Sequence, residues 1–226
     1  MERHTHNPLI GIGIPTLNRF DLLEPNLLLY ARDFNLESDI PFYILDNGKQ
    51  NIHFSYGHIL NFENNIGVGK SWNVLCDRMF YEHNCDYALI LNDDIYLGKK
   101  MIEINEIVAK YPDSFIRSYA DWSIFIIPKS VYEKVGKFDE CFYPAYYEDK
   151  SYEYRMKLMG VPMVKRPELN PYQFQSSKTM EKDYSIFEAS KKNKQLYIEM
   201  WGGEPERETF KKPYNCLLYT SDAADD

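Results

Sequence analysis

The sequence predicts an α/β fold: a mostly parallel central sheet flanked by helices, followed by a C-terminal portion of different texture. Three observations carry this. Short β-rich apolar runs alternate with stretches whose apolar residues recur at helical spacing. Several runs are apolar throughout, as strands buried on both faces require. Polar clusters stand directly after those runs, where an open α/β sheet places its ligands.

Residues 9–14 form a β-rich run ended by Pro15-Thr16, the expected first strand. Residues 20–32 follow as a helix with Leu22, Leu23, Leu27 and Tyr30 on one face, capped by Asn18 or Asp21. A second strand over 42–45 is halted by Asp46-Asn47-Gly48, a strong turn signal, and 58–62 is a candidate third. A helix with a glycine-rich entry is expected over 67–78, a strand over 87–91, and an amphipathic helix over 99–110. After Pro112 come two strands close in sequence (115–119 and 123–127), then a short helix over 130–135 stopped by Gly136. A helix over 148–159 ending at Gly160, a small strand over 161–164 and a long polar helix over 181–200 complete the prediction. There is no internal repeat and no linker rich in Gly, Ser or Pro, so residues 1–215 read as a single domain. Residues 220–226 are small, acidic and without an apolar face, and the tail from about Cys216, residues 216–226, reads as non-native or disordered.

The 226 residues are 44% hydrophobic, enough for a sizeable core. The net charge of −8 argues against general binding to nucleic acid or anionic membranes. It leaves room for a small anionic ligand, because a metal and a few cations can reverse the local field. Nineteen tyrosines suit a sugar- or base-facing cleft, or ordinary rim and core packing. Cys76, Cys85, Cys141 and Cys216 form no CxxC pair and read as reduced thiols of a cytoplasmic protein. No apolar run reaches the length of a membrane span, so any membrane-bound substrate would be met by peripheral contact.

The chemistry concentrates in four places. In Tyr87-Ala-Leu-Ile-Leu-Asn-Asp-Asp94 a strand ends in an amide and two carboxylates. Adjacent carboxylates repel, and Mg²⁺ or Mn²⁺ would relieve them while bridging to a substrate phosphate. Alone, the triplet reads slightly better as a solvated turn. Pro15-Thr16-Leu17-Asn18-Arg19 suits a nucleotide or phosphate contact, or equally a helix-entry loop. Gly11-Ile12-Gly13 is no dinucleotide fingerprint, since both glycines precede the turn. Asp46 offers a carboxylate to a ribose or base N–H, or caps a tight turn.

Asn64-Asn65-Ile66-Gly67-Val68-Gly69-Lys70-Ser71-Trp72-Asn73 permits close backbone approach at a helix start, with Lys70 and Asn73 as polar arms. It fails as a P-loop because the first glycine would fall at Asn64. Glu148-Asp149 opens a helix, where a carboxylate can serve as general base or simply complement the helix dipole with Arg155 as partner. The five histidines all lie in the first half, without metal spacing.

In this order the pieces resemble the family 2 glycosyltransferases of the GT-A fold. The resemblance covers roughly residues 8–215 and continues through Val135-Gly-Lys-Phe-Asp-Glu140, Arg155, Gly160 and the late Trp201-Gly-Gly203 with Pro205. It implies a nucleotide-sugar-binding half over about 8–110 and an acceptor-side half over about 111–215. Pro15, Thr16 and Asn18 would line the nucleotide pocket, Asp46 would contact base or ribose, and Asn65, Lys70 and Asn73 would border the nucleotide-sugar. Asn92-Asp93-Asp94 matches the D-x-D in a variant form, with Asp94 as the metal ligand and Asp93 between metal and donor. Asp149 would be the catalytic base, with Glu148 as alternate, and Trp122 would stack on an acceptor sugar or pack in the core.

The implied cofactor is a divalent cation, and the implied partners are a nucleotide-diphosphate sugar and a glycan or lipid-linked acceptor. Two departures stand out. Ser151 occupies a place where the family often has aspartate, and residues 171–177 lack the late histidine, with Gln173 or Gln175 as substitutes. Two rivals remain: a non-catalytic nucleotide-sugar or glycan-binding protein, and a sugar-nucleotide pyrophosphorylase, whose glycine-rich loop is missing after the first strand.

Overall fold

Every strand at the centre of the molecule is apolar on both faces, and each face has its own helical cover. The structure, a computed structural model, describes residues 8–37, 39–119, 122–174 and 184–215. In chain order the elements are β1 (Ile10–Thr16), α1 (Phe20–Asp33), β2 (Phe42–Asp46), β3 (His58–Asn61) and α2 (Val68–Asp77). They continue with β4 (Tyr87–Leu91), β5 (Ile95–Tyr96), α3 (Met101–Lys110), β6 (Phe115–Ser118), β7 (Ile124–Pro128) and α4 (Lys129–Val135). The last are α5 (Glu148–Leu158), β8 (Met163–Arg166), β9 (Gln173–Phe174) and α6 (Tyr184–Trp201).

Seven strands form one sheet in the order β3-β2-β1-β4-β7-β6-β8. All neighbouring pairs are parallel except β4–β7 and β6–β7. Reversing at β7 and again at β6 leaves β6 and β8 running with β4. Only β7 is reversed, so the predicted mostly parallel α/β class is what forms. The sheet draws β1–β4 from the first half and β6–β8 from the second.

The period-2 alternation of strands sorts the core into two layers. Ile10, Ile12, Ile14, Phe42, Ile44, Leu89 and Leu91 pack with Leu23, Leu27 and Tyr30 of α1 and Ile104 of α3. On the other face Tyr43, Leu45, Ala88, Ile90, Phe125 and Ile127 meet Trp72 and Leu75 of α2 and Tyr152 of α5. Gly11 and Gly13 lie on this second face. A Cβ on Gly11 would fall 2.5 Å from Met79 Cγ, and one on Gly13 would fall 3.1 Å from Leu75 Cδ1. The glycines therefore let the α2 segment lie directly against β1.

Several boundaries differ from the sequence reading. The helix expected over 67–78 gives way at Arg78 to a π-helical turn, Arg78–Glu82, because Cys85 N–H reaches back to Met79 and His83 N–H to Arg78. Neither Asn18 nor Asp21 caps α1: Arg19 holds the N-cap position without a side-chain cap, and Asn18 is left-handed at φ 55°. The β5–β9 pair was not foreseen, since each strand is only two residues long. Residues 181–183, Gln175 and 216–226 lie outside the described residues. Among the described residues no helix is long and apolar enough to cross a membrane.

Candidate active site

Parallel strands deliver the loops that follow them to one edge of a sheet. Here the segments after β1, β2, β4 and β6 all leave at that edge, which brings together most of the sequence-predicted polar residues. Pro15 and Thr16 pair in register with Leu45 and Asp46. The Asp46-Asn47-Gly48 turn packs so closely on the next loop that a Cβ on Gly48 would lie 2.3 Å from Asn18 Oδ1.

Asp46 is fully buried, and its carboxylate holds its own loop. It accepts from Gly48 N–H (2.7 Å), Gln50 N–H (2.6 Å) and Gln50 Nε2 (3.0 Å). Gln50 then becomes the hub of this part of the edge, a role without a signal in the sequence beyond its place after the turn. Its Nε2 also donates to Thr16 Oγ1 at 3.3 Å, and its Oε1 accepts from Phe20 N–H at 2.6 Å. Thr16 passes the chain on, since its hydroxyl and the Leu17 amide donate to the Asp93 carboxylate.

Asn92 is half-buried and tied to β7 by its N–H to Ser123 O at 2.8 Å. Asp93 and Asp94 are only 8% and 9% exposed. Burial, with Asp94 adding repulsion, pushes the Asp93 carboxyl up to about 7 against the lowering effect of Thr16. A carboxyl raised in the folded state stabilises the fold below its unfolded pKa and loses that contribution as pH rises through its folded value. The metal-free protein is therefore expected to melt at a lower temperature at pH 8 than at pH 5.5. Over that window Asp93 alone accounts for about 2 kcal/mol of the loss. Mn²⁺ should raise the melting temperature more at pH 8 than at pH 5.5, as scanning calorimetry would measure, because the ligands are then already deprotonated.

Two buried carboxylates at a strand end fit a hard divalent cation. Among the described residues no group of three or more His, Cys, Asp or Glu side chains surrounds such a site. The remaining ligands would be diphosphate oxygens and water, the usual pattern for Mg²⁺.

The segment 138–147 arches over this edge and is held from both sides. Asn73, nearly fully buried, donates Nδ2–H to Phe138 O (3.0 Å) and Glu140 Oε1 (2.9 Å), and its Oδ1 accepts from Phe138 N–H (2.8 Å). Exposed Lys70 lies 3.8 Å from Glu140. Asn65 Oδ1 accepts from Gly67 N–H at 2.8 Å, and Asn65 O accepts from the Tyr143 hydroxyl at 3.1 Å. Gly67, at φ 83°, has no room for a side chain: a Cβ would fall 2.9 Å from the Tyr143 ring. From the far side, buried Asn193 of α6 donates to the carbonyls of Tyr143 (3.3 Å), Ala145 (2.8 Å) and Tyr146 (3.2 Å).

This clamp supports two consecutive left-handed residues, Tyr146 and Tyr147 at φ 75° and 78°, immediately before α5. Backbone strain of this kind persists only where its surroundings enforce it. Its product is the placement of Glu148 and Asp149 at the start of α5. Glu148 is buried, and its Oε2 has no hydrogen-bond partner. Burial, then Asp149, hold its carboxyl well above the usual range. Burial raises Asp149 too, with Lys150 opposing the shift. Asp149 is thus the member of the pair with a neighbouring cation to favour its ionised form. Burial raises the Tyr146 hydroxyl, and Glu148, Asp149 and Asp94 add to the shift.

Ser151 has a structural role here. Its hydroxyl donates to Asp139 Oδ2 at 2.5 Å and accepts from Trp201 Nε1–H at 2.9 Å, joining α5, α6 and the arch. Ser151→Ala leaves the buried indole N–H without an acceptor and is expected to cost about 1–3 kcal/mol in urea unfolding. Trp122 is 9% exposed. Its ring packs with Trp72, Phe115 and Phe125, and its N–H reaches Glu153 at 3.3 Å, so it contributes chiefly to the core. Gln173 is exposed on β9, opposite Tyr96 and close in register to Asp94.

No protein-family model and no curated protein sequence matches the chain. Solved structures do share its fold, and one of them is a glycosyltransferase by name. The Pyrobaculum calidifontis mannosyltransferase PcManGT, in complex with GDP-Man and Mn²⁺, superposes with a TM-score of 0.57 at 12% identity. The match covers 77% of this chain and 59% of that one, so this chain spans well under two thirds of its length. S. aureus TarS 1–349 in complex with UDP gives 0.56 at 13% identity, over 84% of this chain and 70% of that one. S. aureus TarS itself gives 0.56 at 14%, over 78% and 38%. At these identities the likeness establishes the fold.

Proposed function

We propose that the chain is an inverting glycosyltransferase of family 2, dependent on Mn²⁺ or Mg²⁺, acting in glycan or polysaccharide synthesis. Its donor is a nucleotide-diphosphate sugar, and its acceptor is a hydroxyl of a glycan or lipid-linked glycan. The cytoplasm is the proposed location, with at most peripheral membrane contact. The observation that carries the reading is the pair of buried carboxylates, Asp93 and Asp94, directly after β4, on a strand parallel to β1, whose following loop leaves at the same sheet edge. In this reading one acidic pair serves the leaving group and the other, Glu148–Asp149, the nucleophile.

In this reading residues 8–110 bind the donor and 111–215 the acceptor. Pro15, Thr16, Asn18, Asp46, Asn65, Lys70, Asn73, Asn92 and Asp93 shape the donor site. For Asp46 and Asn73 that role is to position the loops their hydrogen bonds hold. Asp94, with Asp93 beside it, would hold the cation, which when bound would supply charge neutralisation at the leaving diphosphate. Asp149 takes the proton of the acceptor hydroxyl. The acceptor oxygen forms its bond to the anomeric carbon as the bond from that carbon to the diphosphate oxygen breaks. The nucleoside diphosphate leaves with the electron pair, and displacement from the opposite face inverts the anomeric centre. Burial raises the Glu148 carboxyl well above the usual range, which disfavours the ionised form a base needs.

Proton NMR of the first product formed from a defined donor tests the mechanism: inverted anomeric configuration is expected, and retention would contradict it. A second reading, donor binding without turnover, draws on the absence of a larger acidic or histidine group around Asp94 among the described residues. Metal-independent donor binding with no product would favour it.

A further inference from the structure

We infer that Arg19 binds the diphosphate of the donor, an assignment that rests on the donor reading above. Arg19 closes the Pro15–Arg19 segment and stands at the N-cap of α1. Its side chain is 3% exposed, and Nη1 is buried without a hydrogen-bond partner. The other two nitrogens lean on one residue, Asp21, with Nε at 3.1 Å and Nη2 at 3.4 Å from its two oxygens. A guanidinium does not shed its charge, so a buried donor left unmade is a standing cost that a ligand can relieve.

The position of that charge selects the ligand. Arg19 acts on Asp93 from the same sheet edge, where it counters the upward shift of that carboxyl. On its other side is the Asp46–Gln50–Thr16 network, whose Gln50 already occupies the Phe20 amide at the start of α1. The first amide of α1 is therefore not available to an anion, whereas the guanidinium beside it has an unused N–H. In a nucleoside diphosphate the anionic oxygens a cation would meet all belong to the diphosphate, while the base and ribose carry no charge. Two buried carboxylates alone would repel it. A fixed guanidinium next to them offsets that repulsion and offers the forked donor geometry that phosphate oxygens accept.

Calorimetry on the intact protein tests this, with UDP, GDP and dTDP in Mn²⁺ and with the matching nucleosides. For whichever diphosphate the parent protein binds, Arg19→Gln should weaken it by about 30-fold and leave the nucleoside within about threefold. Arg19→Lys should restore part of the diphosphate affinity, as a point charge without the fork. Asp21→Asn, which retains Arg19 and relaxes its carboxylate partner, should tighten diphosphate binding by about threefold or more, and it decides the matter if Arg19→Gln does not fold. Equal losses for diphosphate and nucleoside, or unchanged diphosphate affinity in Arg19→Gln, would overturn the assignment and leave Arg19 as a counter-ion of Asp93. Weaker diphosphate binding by Asp21→Asn would overturn it as well. No diphosphate binding by the parent protein would instead remove the donor reading, and the Arg19 role with it.

Discussion

Asp149→Asn is expected to lower sugar transfer by about 10³-fold while leaving donor affinity within about threefold of the parent protein. The substitution keeps size and hydrogen-bonding capacity at the start of α5 but removes the only group proposed to take the acceptor proton. Glu148 is not expected to replace it, because burial, then Asp149, raise its carboxyl well above the usual range. Once Asp149 is neutral, the repulsion on Glu148 falls while its burial remains, so any residual rate should rise with pH more steeply than in the parent. Steady-state kinetics with saturating donor and varied acceptor separates the outcomes. A change confined to the acceptor KM would mean that Asp149 only orients the acceptor. Full activity would overturn its role as base.

Asp94→Ala should have an effect of similar size by a different route. Removing the proposed metal ligand is expected to abolish Mn²⁺-dependent diphosphate binding and to reduce turnover by about 10³-fold or more. The metal-free variant should nonetheless be at least as stable as the parent, because Asp93 loses the neighbour that repels it. Parallel titration of Mn²⁺ by electron paramagnetic resonance and thermal melting would show lost metal binding without lost stability. Retained metal binding would move the ligand role to Asp93.

Much of the fold was legible because the strands advertise themselves. β1, β2, β4 and β7 are apolar on consecutive residues, and a strand covered on both faces has no polar face to confuse the pattern. The reversal of β7 was not legible, since strand direction depends on which edge receives the loop between β6 and β7. The β5–β9 pair was too short to carry a period. At the site, Asp93, Asp94, Glu148 and Asp149 stand out in the sequence as paired carboxylates at element boundaries, but their proposed roles come from the family resemblance, since alone they read as well as a turn and a helix-dipole pair. Gln50, Arg19, Tyr146 and Asn193 do not stand out. Their importance comes from hydrogen bonds and fields between segments far apart in the chain, such as Asn193 to Tyr146.

Ser151 shows the same limit from the other side. As a letter it is a departure from a family pattern; in the structure it is the acceptor for a buried indole and the donor to Asp139. Aspartate there would set a second carboxylate against Asp139 in a buried place, so serine is the residue this packing requires. Trp122 reads from sequence as either a sugar platform, as the family resemblance implies, or a core residue, and in the structure it packs in an aromatic layer with Trp72, Phe115 and Phe125.

The carboxyl edge of the sheet is held to be a donor site in which a metal-bound leaving group faces a base. Release of nucleoside diphosphate from a panel of UDP-, GDP- and dTDP-sugars, with Mn²⁺ and a set of glycan acceptors, addresses this most directly. At least one donor should release its nucleoside diphosphate in an acceptor-dependent manner, with the release lost in EDTA and in both Asp94→Ala and Asp149→Asn. Folded parent protein that releases nothing from any donor, or release that survives both substitutions, would contradict it.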